Sequence, residues 1–181
     1  MNIQTATFAA GCFWCTEAIF KRLKGVTSVL SGYSDGTTRY PRYEDVSSGK
    51  TGHAEAVQIH FDPQQIPYEK LLEIFWHTHN PTTRNRQGND VGSQYRSVIF
   101  YHNEEQKKQA EKSKKKLEES GKYKDPIVTE ITKFENFYPA EEYHKDYYEK
   151  NKNVSYCTIV INPKIQKLLK EFGNSIKEEY T

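Results

Sequence analysis

Between Ala54 and Asp62 the side chains alternate strictly, with Val57, Ile59 and Phe61 on one face of an extended segment and Gln58 and His60 on the other. A strand of this kind needs its apolar face covered, so the chain must build a sheet layered against other elements. Glu55 shares the parity of Val57 and falls on the apolar face. An ionised carboxylate is costly there, so burial would raise its pKa and let it hold a donatable proton near neutrality. A place at the strand end would also let it reach solvent or pair with an Arg, and position alone leaves both readings open.

The flanking sequence supplies the partners. Gln4 to Ala10 reads as a strand, Cys12 to Leu23 as a helix stopped by Gly25, and Val26 to Tyr33 as a second strand. Pro67 opens a helix to about His77, Tyr95 to Tyr101 is a strand, and Asn103 to Ser120 is a charged helix with a capping-box-like start. Ile127 to Phe134 reads as a strand, Pro139 as the start of a short helix through about Lys150, and Ser155 to Ile161 as a β-branched strand; Pro163 starts a last helix. Two polar stretches, Gly32 to Gly52 and Asn80 to Gln94, are too long to be idle connections. Strands and helices mix without a strict βαβα rhythm, which predicts an α+β sandwich, helices on a mainly antiparallel sheet, in one domain spanning residues 1–181.

Lys and Arg number 26 against 24 Asp and Glu, a net charge of +2 with the signs interspersed, so no strong field favours nucleic acid or an acidic membrane. The run Lys112 to Lys116, with exposed aromatics, would suit an RNA- or protein-binding module, but the wider stretch Lys107 to Lys122 alternates with Glu104, Glu105, Glu111, Glu118 and Glu119 and reads as a solvated helix face. Neither a basic-then-apolar start nor a run approaching the roughly 18 apolar residues of a membrane helix is present, so a cytoplasmic protein is expected.

Three cysteines fit reactive thiols better than a disulfide framework. In Gly11-Cys12-Phe13-Trp14-Cys15 the first thiol lies in the opening turn of a helix, where free backbone N–H groups and the dipole favour thiolate, so partial ionisation of Cys12 is expected. Cys15, three residues on, shares its face at a spacing that small adjustments would turn into a disulfide. Half of a zinc site is the bland reading of Cys-x-x-Cys, but there is no second such pair and no close His spacing. Cys157, in an apolar β-branched stretch, reads equally well as a small core residue.

One reaction uses a thiolate, a buried acid and phenols together. Attack on a sulfoxide sulfur needs the oxygen protonated as it leaves, which Glu55 with Tyr43 or Tyr95 would supply, and Phe13 and Trp14 offer apolar, sulfur-friendly walls for a methyl thioether. The product is a Cys12 sulfenic acid, which a second thiol converts to a disulfide for an external reductant to reopen.

These residues resemble peptide methionine sulfoxide reductase A, through Gly11-Cys12-Phe13-Trp14, Ser31-Gly32-Tyr33, Tyr43-Glu44-Asp45-Val46 and Gly52-His53-Ala54-Glu55-Ala56-Val57. Further blocks follow in order: Asp62-Pro63, Asn80-Pro81-Thr82, Gln87-Gly88-Asn89-Asp90, Gln94-Tyr95-Arg96-Ser97, Phe137-Tyr138, Ala140-Glu141-Glu142-Tyr143-His144 and Tyr156-Cys157. The resemblance spans nearly the whole chain. It implies reduction of the S epimer of methionine sulfoxide, free or protein-bound, by nucleophilic Cys12, with thioredoxin as reductant, no cofactor and no metal. It also implies a two-layer sandwich with a ferredoxin-like core. Glu55, Tyr43 and Tyr95 match the family's partners of the sulfoxide oxygen, Phe13 and Trp14 its methyl pocket, and Asp90, His144 and Tyr147 positions surrounding the site, whose bland reading is structural support.

One departure concerns the resolving thiol. Many members carry Gly where this chain has Cys15, and Cys157 matches their late resolving cysteine, yet here Thr158 to Asn162 and a further helix follow it instead of a Gly-rich tail. Cys15 is favoured over Cys157, with a relay through both as a third route. Disulfide exchange of the thioredoxin type also uses Cys-x-x-Cys at a helix start, but needs neither Glu55 nor two positioned tyrosines. Nothing in the sequence demands a partner chain, and a monomer is expected.

Overall fold

The computed structural model describes residues 1–181. Strands β1 (Gln4–Ala10), β2 (Val26–Ser34), β3 (Ala54–Phe61), β6 (Ser97–Tyr101), β7 (Glu130–Lys133) and β8 (Tyr138–Pro139) form one six-stranded sheet in the order β7-β6-β1-β3-β2-β8. Every pairing is antiparallel except β6 with β7. The long helices are α1 (Phe13–Phe20), α3 (Tyr68–Thr78), α4 (Glu104–Glu119) and α6 (Asn162–Phe172). Short pieces complete the fold: α2 (Tyr43–Ser47), the hairpin of β4 (Arg86–Gln87) with β5 (Asp90–Val91), and α5 (Tyr147–Lys150). The α+β architecture expected from the sequence is the one observed.

The alternation in β3 sorts the core into two layers. Val57, Ile59 and Phe61, with Ala6, Phe8 and Ala10 of β1, pack under Phe13, Ile19 and Phe20 of α1 and Leu71, Leu72, Phe75 and Trp76 of α3, all buried. The opposite face carries the smaller Ala9, Ala54, Ala56 and Val98 with Phe100, covered by Phe134 and Phe137. Helices therefore crowd the side of the sheet that Glu55 faces. On α4 only Gln106 and Ala110 are buried, Asn103 caps it by accepting from the Gln106 N–H at 2.9 Å, and Lys108, Lys112, Lys115 and Lys116 are exposed. No helix is long and apolar enough to cross a membrane.

Two assignments from sequence need correction. Ser155 to Ile161 is helical, with a π-type turn over Cys157–Ile161 running into α6. β-Branched composition suggested a strand, but the buried residues Cys157, Ile161, Ile165, Leu168 and Phe172 recur every three or four positions, and that helical period prevails over local propensity. The single helix expected from Pro139 to Lys150 is instead a two-residue strand, a short turn over Glu142–His144 and the four-residue α5, because Asp146 takes a left-handed conformation at φ 53° that interrupts it. Boundaries elsewhere differ by a few residues: Ile127–Val128 lies before β7, and Tyr95 ends a turn ahead of β6.

Candidate active site

The turn between β1 and α1 sets the site. Gly11 adopts φ +87°, and a Cβ there would meet the Gln87 side chain at 2.7 Å, so a small residue with left-handed freedom is required. Gln87 in turn clips the 80–94 loop, its amide bonding both backbone groups of Asn80. Cys12 becomes the N-cap of α1 and is buried, at 7% exposure.

Glu55 lies beneath that helix start, 1% exposed, accepting a hydrogen bond from the Phe13 backbone N–H at 3.1 Å. Of the two placements left open by the sequence, the buried one holds. Burial, partly offset by the Phe13 N–H and reinforced by Asp90 and Cys15, pushes its carboxyl up to about 8. The same contact alters the expectation for Cys12. The helix-start amide is spent on Glu55, and burial first, then the hydrogen bond with Cys15 and the charge of Glu55, hold the Cys12 thiol well above its usual range. These surroundings favour the thiol form of Cys12, against the partial ionisation expected from its place at a helix start. Protonated Glu55 removes its own repulsion and eases loss of the Cys12 proton.

Tyr43 opens α2 and is fixed by its backbone N–H donating to Glu141 Oε2 at 2.9 Å, while Tyr33 donates to the other oxygen of Glu141 at 2.8 Å. Tyr95 ends the short turn Ser93–Tyr95, tied to α2 by the Gln94 amide donating to Ser47 O at 3.4 Å. Burial and then the charge of Glu55 raise both phenols, Tyr43 to about 12, so both keep their protons at neutral pH. A buried acid and two protonated phenols thus converge on one thiol.

The aromatic wall forms on the other flank. Trp14 stacks on Tyr147 at 3.7 Å with an 8° interplanar angle and donates its indole N–H to His144 Nδ1 at 3.0 Å. His144 is fully buried against Phe13 and Tyr43, ring centres 5.0 and 4.6 Å away, and burial lowers its pKa, so it is neutral with the proton on Nε2.

All three cysteines are free and buried, and they share one apolar cluster with Ala18, Ile161 and Ile165. Cys15 donates toward Tyr156 Oη at 3.9 Å, and Tyr156 donates to Asp90 Oδ2 at 2.6 Å. Because one thiolate of the Cys12/Cys15 pair is stabilised by the other's proton, the pair gives up its first proton more readily than an isolated buried thiol.

The structure brings together every residue singled out from the sequence: Cys12, Cys15, Cys157, Glu55, Tyr43, Tyr95, Phe13, Trp14, Asp90, His144 and Tyr147. Sequence reasoning missed Tyr156, whose bond to Asp90 spans 66 residues, and Glu141, whose bond to Tyr43 spans 98. Both residues lie in blocks of the family resemblance, Tyr156-Cys157 and Ala140-Glu141-Glu142-Tyr143-His144, but no local pattern assigns either of them a partner.

The family model described as "Peptide methionine sulfoxide reductase" matches residues 4–176. The chain belongs to this family. It is 58% identical over 170 residues to the peptide methionine sulfoxide reductase MsrA of Sulfolobus acidocaldarius, covering 94% of this chain and 96% of that one. Reduced Mxr1 of Saccharomyces cerevisiae superposes with a TM-score of 0.78 at 34% identity, covering 86% of this chain and 89% of that one. Mxr1 in complex with Trx2 superposes at 0.55 with 25% identity, covering 80% and 84%.

Proposed function

We propose that this methionine sulfoxide reductase acts on the S epimer, with Cys12 as nucleophile and Glu55 as acid. The observation that carries the reading is the single cluster of thiol, raised carboxyl and two protonated phenols under the start of α1. Phe13 and Trp14 receive the methyl group, and Tyr43, Tyr95 and Glu55 surround the oxygen. The Cys12 sulfur attacks the sulfoxide sulfur as Glu55 passes its proton to the oxygen; the oxygen is transferred, methionine leaves, and Cys12 is a sulfenic acid, two electrons having moved from thiol to substrate.

Cys15 resolves it. Its sulfur attacks the Cys12 sulfur, the hydroxyl leaves as water with the proton that Cys15 gives up, and a Cys12–Cys15 disulfide forms beside Tyr156. Cys157, in the same cluster, is the next thiol in line. A dithiol protein returns two electrons and two protons, and the Mxr1 complex with Trx2 favours a thioredoxin. The protein works as a cytoplasmic monomer of one domain, with no nucleic acid or membrane partner.

The test assays wild type, Cys12→Ser, Cys15→Ser and Cys157→Ser on each epimer, first with dithiothreitol and then with a thioredoxin system, counting free thiols after one turnover. Cys12→Ser should abolish S-epimer reduction, while Cys15→Ser keeps dithiothreitol activity and loses thioredoxin turnover. Loss of thioredoxin turnover with Cys157→Ser alone would transfer the resolving role, and an active Cys12→Ser would end the mechanism.

A further inference from the structure

Glu17 is a second buried carboxyl group on α1, 3% exposed, and the chemistry above makes no use of it. It stands one turn beyond Trp14 on the helix, and Lys21 stands one turn beyond Glu17. Both reach the same residue of a distant segment. Glu17 Oε1 accepts from the Asp146 backbone N–H at 3.0 Å, and Lys21 Nζ meets Asp146 Oδ1 at 2.5 Å.

Asp146 is left-handed, φ 53° and ψ 33°, a conformation that a non-glycine residue keeps only when its surroundings hold it. It lies between His144 and Tyr147, the two residues that grip Trp14, by a 3.0 Å hydrogen bond and a 3.7 Å stack. The indole is therefore fixed by a closed circuit that leaves α1 at Glu17, passes through Asp146, and returns to α1 at Trp14.

We infer that Glu17 is a positioning residue: by anchoring the strained Asp146 backbone it holds His144 and Tyr147 against Trp14 and so sets the wall of the methyl pocket. The inference rests on the reading of Trp14 as that wall. Burial, reinforced by the charge of Asp146 and partly offset by the Asp146 N–H, Lys21 and Lys150, raises the Glu17 carboxyl to about 7, and either protonation state retains an oxygen able to accept the Asp146 N–H.

The test compares Glu17→Ala and Glu17→Gln with wild type for KM and kcat on S-methionine sulfoxide with dithiothreitol. Trp14 emission is read in a Trp76→Phe background, which leaves one indole. Glu17→Ala should raise KM about tenfold, the equivalent of one lost hydrogen bond to a buried group, with kcat within about twofold and Trp14 emission shifted to the red. Glu17→Gln, which keeps an acceptor, should match wild type. Should Glu17→Ala not fold, Glu17→Met retains the helix and the volume and is read identically. Unchanged KM, a red shift without a KM rise, a fall in kcat alone, or Glu17→Gln as impaired as Glu17→Ala each overturns the inference. A Trp14→Ala control separates the failures: if it raises KM where Glu17→Ala does not, the pocket reading stands and Glu17 has no part in it. If Trp14→Ala leaves KM unchanged, the pocket reading falls and takes the inference with it.

Discussion

In the proposed mechanism Glu55 carries a proton when substrate arrives, and burial beneath α1, which pushes its carboxyl up to about 8, provides for that at neutral pH. The rate of sulfoxide reduction should therefore fall as pH rises through about 8, read as a descending limb of kcat/KM in stopped-flow single turnovers. Glu55→Gln should lower the rate by about 10² to 10⁴ and erase that limb; a variant retaining both would remove Glu55 from the chemistry. Tyr43→Phe or Tyr95→Phe alone should cost about tenfold, the value of one hydrogen bond to a developing charge, with KM little changed. Parity put Glu55 in phase with Val57, Ile59 and Phe61 but left a solvent-reaching placement at the strand end open, and only the packing of α1 over β3 decided for burial. The ionisation of Cys12 departs from the expectation because burial first, then Cys15 and the charge of Glu55, 43 positions away, hold its thiol up, and none of that burial is visible in the local sequence.

At the scale of elements, the β1–α1 turn places Cys12, the proposed nucleophile, at the start of α1. Gly11→Ala places a Cβ against Gln87 at a left-handed φ, so it should lower Tm and slow alkylation of Cys12 by iodoacetamide. Equal Tm and alkylation rate would show the turn tolerates a side chain. The cap of α4 is a contrasting case: Asn103→Ala should cost about 1 kcal/mol in urea unfolding while KM and kcat stay at wild-type values, because α4 supports the sheet far from the thiols. The segment around Cys157 shows how composition misleads. Tyr156, Thr158, Ile159, Val160 and Ile161 favour a strand locally, but the sheet ends at β8 and β7, and the chain instead buries Cys157 and Ile161 as the start of the apolar stripe of α6.

For the molecule as a whole, Glu55 ties stability to pH. Its folded pKa of about 8 lies above the ordinary 4.5, so the folded state binds the extra proton and the contribution is full below about pH 4.5 and lost as pH rises through 8. The difference in unfolding free energy between wild type and Glu55→Gln should therefore move against wild type steadily from about pH 4.5 to 8, measured by urea melts at each pH. A difference independent of pH would mean that the carboxyl is solvated.

What the sequence determined by itself was periodic or contiguous: the alternation that makes β3 and puts Glu55 in phase with its apolar face, the helix that Cys12 opens, the Cys12/Cys15 spacing, and ordered blocks sufficient to name the family. Tertiary structure alone decided which groups meet. Glu141 fixing Tyr43, Asp90 holding Tyr156 beside Cys15, and Glu17 anchoring Asp146 all join residues between 66 and 129 positions apart. Such contacts leave no local pattern, since they arise only when buried polar groups from separate segments, each needing a partner, are folded into the same dry space.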